Sequence, residues 1–192
     1  MVMALGLSVG AINLNVTAAD IERALILARG RDVDRARFHS PYISNLDQPF
    51  VQRVEIITEF RRVVLLAEER LEKGDRMFAY SGRMAAEALS PWRNRVAIRA
   101  QLRFHPQNTY VDLPAIVFTL DGPSGEKSFI GLRKDPINAL ATGEPGERIP
   151  IMGAFAEAVY DASLIGQTRR IVSIRIDGKD VAKTNLDFGA VE

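Results

Sequence analysis

Residues 50–73, FVQRVEIITEFRRVVLLAEERLEK, form the most strongly periodic stretch of the chain. Apolar residues recur there at the spacing of a helix that buries one broad face; they are Phe50, Val51, Val54, Ile57, Phe60, Val63, Val64, Ala67 and Leu71. Pro49 suits the first turn of a helix, and Gly74 suits the position just after its end. We therefore predict a single long helix over residues 50–73, with the rest of the chain organised around it.

Shorter helices are predicted on both sides of this stretch. Thr17 has the side chain of a helix N-cap, and Asp20 follows where an acidic residue favours the start of a helix. A second helix begins at Asp32, and a third covers residues 76–89. Residues 41–49 are expected to form a loop, because prolines stand at both of its ends and the residue before a proline avoids helical angles.

From Trp92 onward the period of the sequence changes to that of a strand. Residues 96–105 alternate between apolar and polar side chains, which predicts a strand with one buried face. Residues 115–120 and 129–132 are two further predicted strands, and the turn sequence DGPSG between them favours a hairpin. Residues 133–150 are then left as a long connection, of the kind that is either functional or disordered.

The last third of the chain is predicted to be β-structure. Residues 151–164 fit a helix or a strand, and we favour a strand because a β-hairpin follows. That hairpin joins strands at residues 170–176 and 180–188 through Asp177-Gly178-Lys179, a turn sequence with a strong hairpin preference.

The order of helices first and strands second indicates an α+β fold. N-terminal helices are expected to pack on a C-terminal antiparallel half that is β-sandwich-like. We divide the chain into an apolar N-terminal segment (1–19), a helical layer (20–91) and an antiparallel β half (92–192). The helical layer and the β half are expected to form one folded unit, since no Gly- or Ser-rich linker separates them.

The N-terminal segment 1–19 carries no charged residue. Residues 9–11 and 16–18 both match the small-residue pattern of a signal-peptidase site, although a basic region before them is missing. Two interpretations stay open: a remnant of a signal peptide, which favours a periplasmic or extracellular location over a cytoplasmic one, or an apolar strand of the fold. The segment is too short, and too interrupted by Asn13 and Asn15, to cross a membrane.

Composition excludes several classes of function. The absence of cysteine excludes disulfides, thiolate catalysis, zinc fingers and iron–sulfur clusters. With His39 and His105 as its only histidines, the chain cannot build a histidine-rich metal site. The formal net charge of +1 gives no overall attraction to nucleic acid or to an anionic membrane. The sequence also lacks the common nucleotide-binding and hydrolase motifs, so we expect no metal, cofactor or nucleic-acid partner.

The best candidate for a ligand-binding site is the polar loop after the first strand of the β half. It combines hydrogen-bond donors, acceptors and an aromatic ring on a rigid scaffold, where binding groups concentrate; its candidate residues are Arg103, His105, Gln107, Asn108 and Tyr110. A purely structural loop, in which Asn108 bonds its own backbone, is the alternative.

A second candidate feature is a set of charges that would join the two halves. On the predicted long helix, Glu55 and Glu59 lie one turn apart and need cations to neutralise them. Arg99, Arg103 and His105 share one face of the first strand of the β half, where they would form either an anion site or the partners of the two glutamates, and we favour the second. We therefore expect this helix to lie across that strand, with the two glutamates paired to the two arginines.

The function that these observations favour is that of a non-catalytic binding or interaction protein, exported from a bacterial cell, whose partner is an unknown protein or small ligand. The alternative is a hydrolase that uses the loop around His105. A pocket at His105 with a carboxylate or hydroxyl within hydrogen-bonding distance would favour the hydrolase. Self-assembly into a homo-oligomer through exposed sheet edges is a third hypothesis.

Overall fold

The computed structural model describes residues 16–46, 48–105, 107–108, 110, 112–121, 125, 127–139, 149–166 and 168–192. Residues 1–15 of the N-terminal segment lie outside the described residues, so both interpretations of that segment stay predictions. Most of the DGPSG turn, and residues 140–148 of the long connection, also lie outside them.

Within these ranges the chain forms an α+β fold, as predicted. The helices are α1 (Ala18–Ala28), α2 (Asp32–His39), α3 (Glu59–Glu72) and α4 (Gly82–Leu89). The strands are β1 (Ile43–Asn45), β2 (Val51–Ile57), β3 (Arg95–Arg103), β4 (Ile116–Asp121), β5 (Gly131–Asn138), β6 (Ile151–Asp161), β7 (Arg169–Ile176) and β8 (Lys179–Asp187).

The prediction of one helix over residues 50–73 is wrong, because its first half is strand β2. Thr58 separates the two elements: its backbone is extended, and its hydroxyl accepts a hydrogen bond from Arg61 N at 3.2 Å as the N-cap of α3. The last four residues of β2, Glu55, Ile56 and Ile57 among them, are all buried. A strand that is covered on both faces loses its polar–apolar alternation, and its apolar residues then match a helical period by coincidence.

The other helix predictions hold with changed boundaries. Thr17 and Asp20 form the expected capping box at the start of α1, and α2 begins at Asp32. The predicted third helix is shorter than expected, since α4 begins only at Gly82, after a 3₁₀ turn. None of the helices in the described part of the chain is long and apolar enough to cross a membrane.

Two antiparallel sheets face each other. The larger sheet has the strand order β1-β2-β3-β6-β5, and the smaller has the order β4-β7-β8. Strands β1 and β2 come from residues 20–91, so this part of the chain supplies one edge strand and one interior strand of the larger sheet as well as helices. The main apolar core lies between the sheets and is formed by inward residues such as Ile98, Phe118, Tyr160 and Ile174.

The helices form a third layer on the outer face of the larger sheet. A second core joins α1, α3 and α4 through residues such as Leu25, Phe60 and Leu89. A smaller cluster around Ile57 and Val159 fastens this helical layer to the outer face of the sheet. The order of layers is therefore helices, five-stranded sheet and three-stranded sheet.

The hairpin predicted across the DGPSG turn is wrong. Strand β4 pairs with β7 in the smaller sheet, whereas β5 pairs with β6 in the larger one. The chain passes from one sheet to the other here, and an isolated bridge between Leu120 and Lys127 is the contact near the turn. Strand β5 also continues to Asn138, so the connection after it is shorter than predicted.

The last three strands follow the sequence prediction. Residues 151–161 form strand β6, which resolves the ambiguity between helix and strand. Strands β7 and β8 form a hairpin around Asp177 and Gly178, whose φ angles are 49° and 78°. Positive φ at both central residues is the geometry of a type I′ turn, which explains the Asp-Gly sequence.

Candidate functional site

A row of alternating charges crosses the outer face of the larger sheet. The register places Glu55 of β2 opposite Arg99 of β3. Arg99 lies opposite Glu157 of β6, which in turn lies opposite Arg133 of β5. Opposite charges on facing residues stabilise an antiparallel sheet. Both glutamates in this row are buried under α3, with 4% of their surface exposed.

Helix α3 contributes two consecutive arginines to this row. Arg61 Nη2 donates to Glu55 Oε2 at 2.7 Å, and Arg61 Nη1 donates to the carbonyl oxygen of Ile56 at 2.5 Å. Arg62 Nη2 donates to Glu157 Oε1 at 2.8 Å, and its guanidinium lies 3.7 Å from the ring centroid of Trp92. The helix is thus joined to the sheet by buried, charge-assisted hydrogen bonds.

Each buried glutamate is contacted by a second arginine from the sheet. Arg99 donates to Glu157 Oε2 through Nη2 at 2.7 Å and through Nε at 3.0 Å. Arg53 Nε lies 3.0 Å from Glu55 Oε1, an ion pair without the angle of a hydrogen bond. Four guanidinium groups therefore share two carboxylates as their ion-pair partners.

Burial and neighbouring charges shift the pKa values of Arg61, Arg62 and Glu157 in opposite directions. Burial lowers the pKa of the Arg61 guanidinium and that of Arg62, against the opposing effect of their glutamate partners. Burial alone would raise the pKa of Glu157, but the charges of Arg62 and Arg99 outweigh it, and this pKa lies below its usual value. Glu157 is therefore ionised at neutral pH and holds two cations.

The predicted joint between the two halves exists, but it is made by other pairs. Glu59 is the first residue of α3 and binds Arg93 Nη1 at 3.1 Å, together with the backbone N–H of Asn94 at 2.5 Å. The expected pairing of Glu55 and Glu59 with Arg99 and Arg103 is wrong, because Glu55 lies on a strand rather than one helical turn before Glu59. Arg103 is exposed at the end of β3.

His39 continues the charged network toward α2. Arg61 Nε donates to His39 Nδ1 at 3.3 Å, and His39 Nε2 lies 3.0 Å from Glu68 Oε2. Since an arginine always donates, Nδ1 must accept and Nε2 must carry the proton that points to Glu68. His39 is thus held in position at the end of α2, and its side chain is half-buried.

The polar loop after β3 contains one side chain with a clear structural role. Asn108 Nδ2 donates to the carbonyl oxygens of His105 at 2.6 Å and Ile151 at 3.1 Å, and its Oδ1 accepts from Tyr110 N at 2.9 Å. These three bonds use both of its amide N–H groups and its carbonyl. Asn108 therefore shapes the loop, as the structural alternative predicted.

The side chains of His105 and Tyr110 make fewer hydrogen bonds than that of Asn108 in the described part of the chain. His105 Nδ1 accepts a hydrogen bond from the backbone N–H of Gln107 at 3.1 Å, and the side chain is exposed. The ring of Tyr110 packs edge-on against Phe104, with 5.1 Å between centroids. Gln107 is exposed.

This loop forms one wall of a pocket of about 230 Å³ at one end of the sandwich. The other walls come from the start of β2 and from the β7–β8 hairpin; the lining residues are Phe50, Phe104, His105, Asn108, Tyr110, Ile176, Asp177, Lys179 and Val181. Of the candidate residues, His105, Asn108 and Tyr110 line this pocket, whereas Arg103 and Gln107 do not. Its surface is mainly apolar, with polar groups at the rim.

Sequence reasoning missed the far wall of this pocket. Phe50 was assigned to a helix, and Asp177 and Lys179 were recognised as turn residues only. A lysine directly after a tight Asp-Gly turn is the one feature in the sequence that could have indicated a binding residue here. No nearby residue in the sequence indicates that this turn lies beside the loop at His105.

Comparison with protein-family models, with curated proteins and with solved structures finds no match to this chain. Among the described residues, no three histidine or acidic side chains converge in the manner of a metal site. The candidate sites are therefore defined by their own geometry.

Proposed function

We propose that this protein is a non-catalytic binding protein whose pocket takes a small, mainly apolar ligand that carries one acidic group. The observation behind this proposal is the pocket of about 230 Å³ between the two sheets, whose walls include Phe50, Phe104 and Tyr110. A concave apolar surface with a few polar groups is the usual form of a small-molecule site.

The acidic group of the ligand is inferred from the rim. Lys179 is exposed, and no ion pair of its ammonium group occurs within the described ranges. Asp177 is the acidic residue beside it, but its Oδ1 already accepts a hydrogen bond from Ala115 N at 3.0 Å. A carboxylate on the ligand would give Lys179 a partner at the edge of an apolar cavity, where screening by water is reduced.

No observation favours the alternative hydrolase. Within the described part of the chain, the hydrogen bonds of His105 come from its own loop: from the backbone N–H groups of Gln107 and Asn108, and from Nδ2 of Asn108. No carboxylate or hydroxyl lies within hydrogen-bonding distance of its ring there, so a general base with an orienting partner is not assembled. Export from the cell, a protein partner and self-assembly stay predictions from the sequence.

A matched pair of ligands tests the proposal. The probes are 3-phenylpropanoate and its uncharged amide, with binding followed by two-dimensional ¹H–¹⁵N NMR. We expect both to shift the amide signals of Tyr110 and Val181, with the acid binding more tightly. Replacement of Val181 by tryptophan should fill the cavity and abolish both shifts.

The charge on the rim is tested by Lys179→Glu. This variant should weaken the acid roughly fivefold, which corresponds to about 1 kcal/mol, and leave the amide unchanged. Lys183→Glu is the control, because it makes the same charge change on β8 outside the pocket. Equal weakening by both variants, or the absence of any shift near the pocket, would refute the proposal.

A further inference from the structure

A second concave surface lies on the opposite side of the larger sheet from the pocket. It is a groove of about 410 Å³ between the second half of α3 and the outer face of the sheet. Four arginines from four elements line it: Arg53 of β2, Arg62 of α3, Arg99 of β3 and Arg133 of β5. We call it the arginine groove.

The floor of the arginine groove carries excess positive charge. Glu55 is shared by Arg53 and Arg61, and Glu157 is shared by Arg62 and Arg99. Arg61 does not line the groove, since its side chain is 1% exposed, but it shares Glu55 with Arg53, so four guanidinium groups have two carboxylates between them. Because both glutamates are buried, water screens this excess less than it would on an open surface.

The acidic side chains around the groove do not cancel this excess. Three of them already contact a cation: Glu68 contacts Arg35, Glu69 contacts Lys73, and Asp135 contacts Arg133. Glu72 is exposed to solvent at the mouth, where its charge is screened. The groove lining thus combines four arginines with four acidic residues, three of which are paired with cations.

The surrounding charges also leave the arginines under mutual repulsion. Burial is the largest cause of the lowered pKa of Arg62, and Glu157 opposes it. The nearby charges of Arg99 and Arg133 lower this pKa further. An anion placed between these side chains would relieve that repulsion. Guanidinium groups are well suited to oxyanions, since their planar forks donate two parallel hydrogen bonds.

We infer that the arginine groove binds a doubly charged oxyanion, specifically a phosphoryl group. The four guanidinium groups that share Glu55 and Glu157 exceed them by two charges, and three of the four line the groove, so a dianion balances them better than a single carboxylate does. Arg53 and Arg133 stand at the two sides of the groove and are the more exposed of the four, with side chains 38% and 67% exposed. They can turn toward a ligand while Arg62 and Arg99 stay anchored to Glu157.

The phosphoryl group could belong to free phosphate or to a phosphate ester, and three probes distinguish these sources. Inorganic phosphate, phenyl phosphate and phenyl sulfate are titrated at constant ionic strength, with the ¹⁵N signals of the arginine Nε–H groups as readout. We expect phenyl phosphate to shift the signals of Arg53 and Arg133. A shift with phosphate as well indicates that the anion alone is recognised, whereas a shift with the ester alone indicates that Phe155 or the leucines beside it contribute.

Two single variants and one control decide whether the groove is the site. Arg133→Gln should weaken phenyl phosphate at least fivefold, and Asp135→Asn should strengthen it, because the arginine is then released from its partner. Arg169→Gln is the control: its Nε also lies 2.9 Å from an aspartate at the surface, but on β7 in the other sheet.

Three results would overturn the inference. Phenyl sulfate, a monoanion, binding as tightly as phenyl phosphate would contradict recognition of a dianion. Equal weakening by Arg133→Gln and Arg169→Gln would show non-specific attraction to a basic surface. Shifts confined to arginines outside the groove would place the anion elsewhere.

Discussion

Replacement of Glu157 by glutamine should destabilise the fold strongly without changing its shape. The side chain is 4% exposed and accepts hydrogen bonds from Arg62 and Arg99 at 2.7–3.0 Å. Glutamine has the same size, but it leaves both guanidinium groups without a counter-ion. Breaking a buried ion pair from one side costs about 3–5 kcal/mol, since the remaining charge is buried without compensation. We expect a loss near the lower end, because Arg99 is partly exposed and can turn toward water.

The assay is urea unfolding at pH 7, followed by the fluorescence of Trp92. Glu69→Gln is the matched control, since Glu69 pairs with Lys73 at the exposed end of α3, the helix whose Arg62 binds Glu157. An exposed pair four residues apart contributes about 0.3–0.5 kcal/mol, so this variant should lose no more than that. Adding salt should weaken the Lys73 pair but leave the effect at Glu157 nearly unchanged.

Acidification provides an independent check with a defined sign. The pKa of Glu157 is lower in the folded protein than in the unfolded chain, where the pKa of a glutamate is about 4.3. Its stabilising contribution is therefore fully present above that pH and is lost as the pH falls through the lower folded value. The difference in stability between wild type and Glu157→Gln should shrink over this acidic range.

Two outcomes would refute this reasoning. A loss below about 1 kcal/mol at pH 7 would mean that Glu157 behaves as an exposed pair. A difference that stays constant from neutral to acidic pH would mean that its charge is not what stabilises the fold.

Two further substitutions test the backbone geometry. Gly153→Ala should cost about 2–3 kcal/mol in urea unfolding, because its Cβ would lie 2.3 Å from the carbonyl oxygen of Leu102 on the adjacent strand. Gly131→Ala is the control: its Cβ would meet nothing within 4 Å, so stability should change by less than about 0.5 kcal/mol. Equal losses in the two variants would contradict the packing described. Thr58→Val keeps the shape of the buried side chain but removes the hydroxyl that caps α3, so we expect a loss of about 1–2 kcal/mol, and no loss would show that Arg61 N finds another acceptor.

The parts of the fold that the sequence predicted well are those set by local chemistry. Thr17 and Asp20 cap α1 through bonds between neighbouring residues. The β7–β8 hairpin depends on Asp177 and Gly178, which adopt the positive φ angles of its turn. The alternation in β3 arises because one of its faces meets the apolar core between the sheets. In each case the deciding interaction lies within a few residues or within one strand.

The wrong predictions of secondary structure and strand pairing have a different physical origin. Strand β2 is covered by α3 on one face and by the smaller sheet on the other, so tertiary burial removed the alternation that identifies a strand. Thr58 was the local signal of a new helix, since a threonine before an acidic residue suits an N-cap. The DGPSG turn was interpreted as a hairpin because turn chemistry does not specify which sheet the next strand joins.

The candidate sites were predictable only in part, for the same reason. The polar loop at His105 was recognisable because a cluster of polar residues follows a clear strand. The opposite wall of the pocket, at Lys179 and Val181, lies about seventy residues further along the chain and is adjacent only in the folded sandwich. Glu157 stands alone between Ala156 and Ala158, and a single acid within an apolar strand is a signal of a buried ion pair that can be read from sequence.

The alternation of side chains in the larger sheet explains why one protein can carry both surfaces. Inward residues of β2 and β3, such as Val54 and Ile98, fill the core between the sheets, at one end of which the pocket opens. Outward residues of the same strands, Arg53 and Arg99, lie in the arginine groove. Because α3 is fastened to this outer face by Arg61 and Arg62, the charges that hold the helix in place also form the floor of the groove. Stability and the proposed anion recognition therefore draw on the same glutamates, whereas Arg53 and Arg133 at the sides of the groove are more exposed, and it is there that the two roles can best be separated.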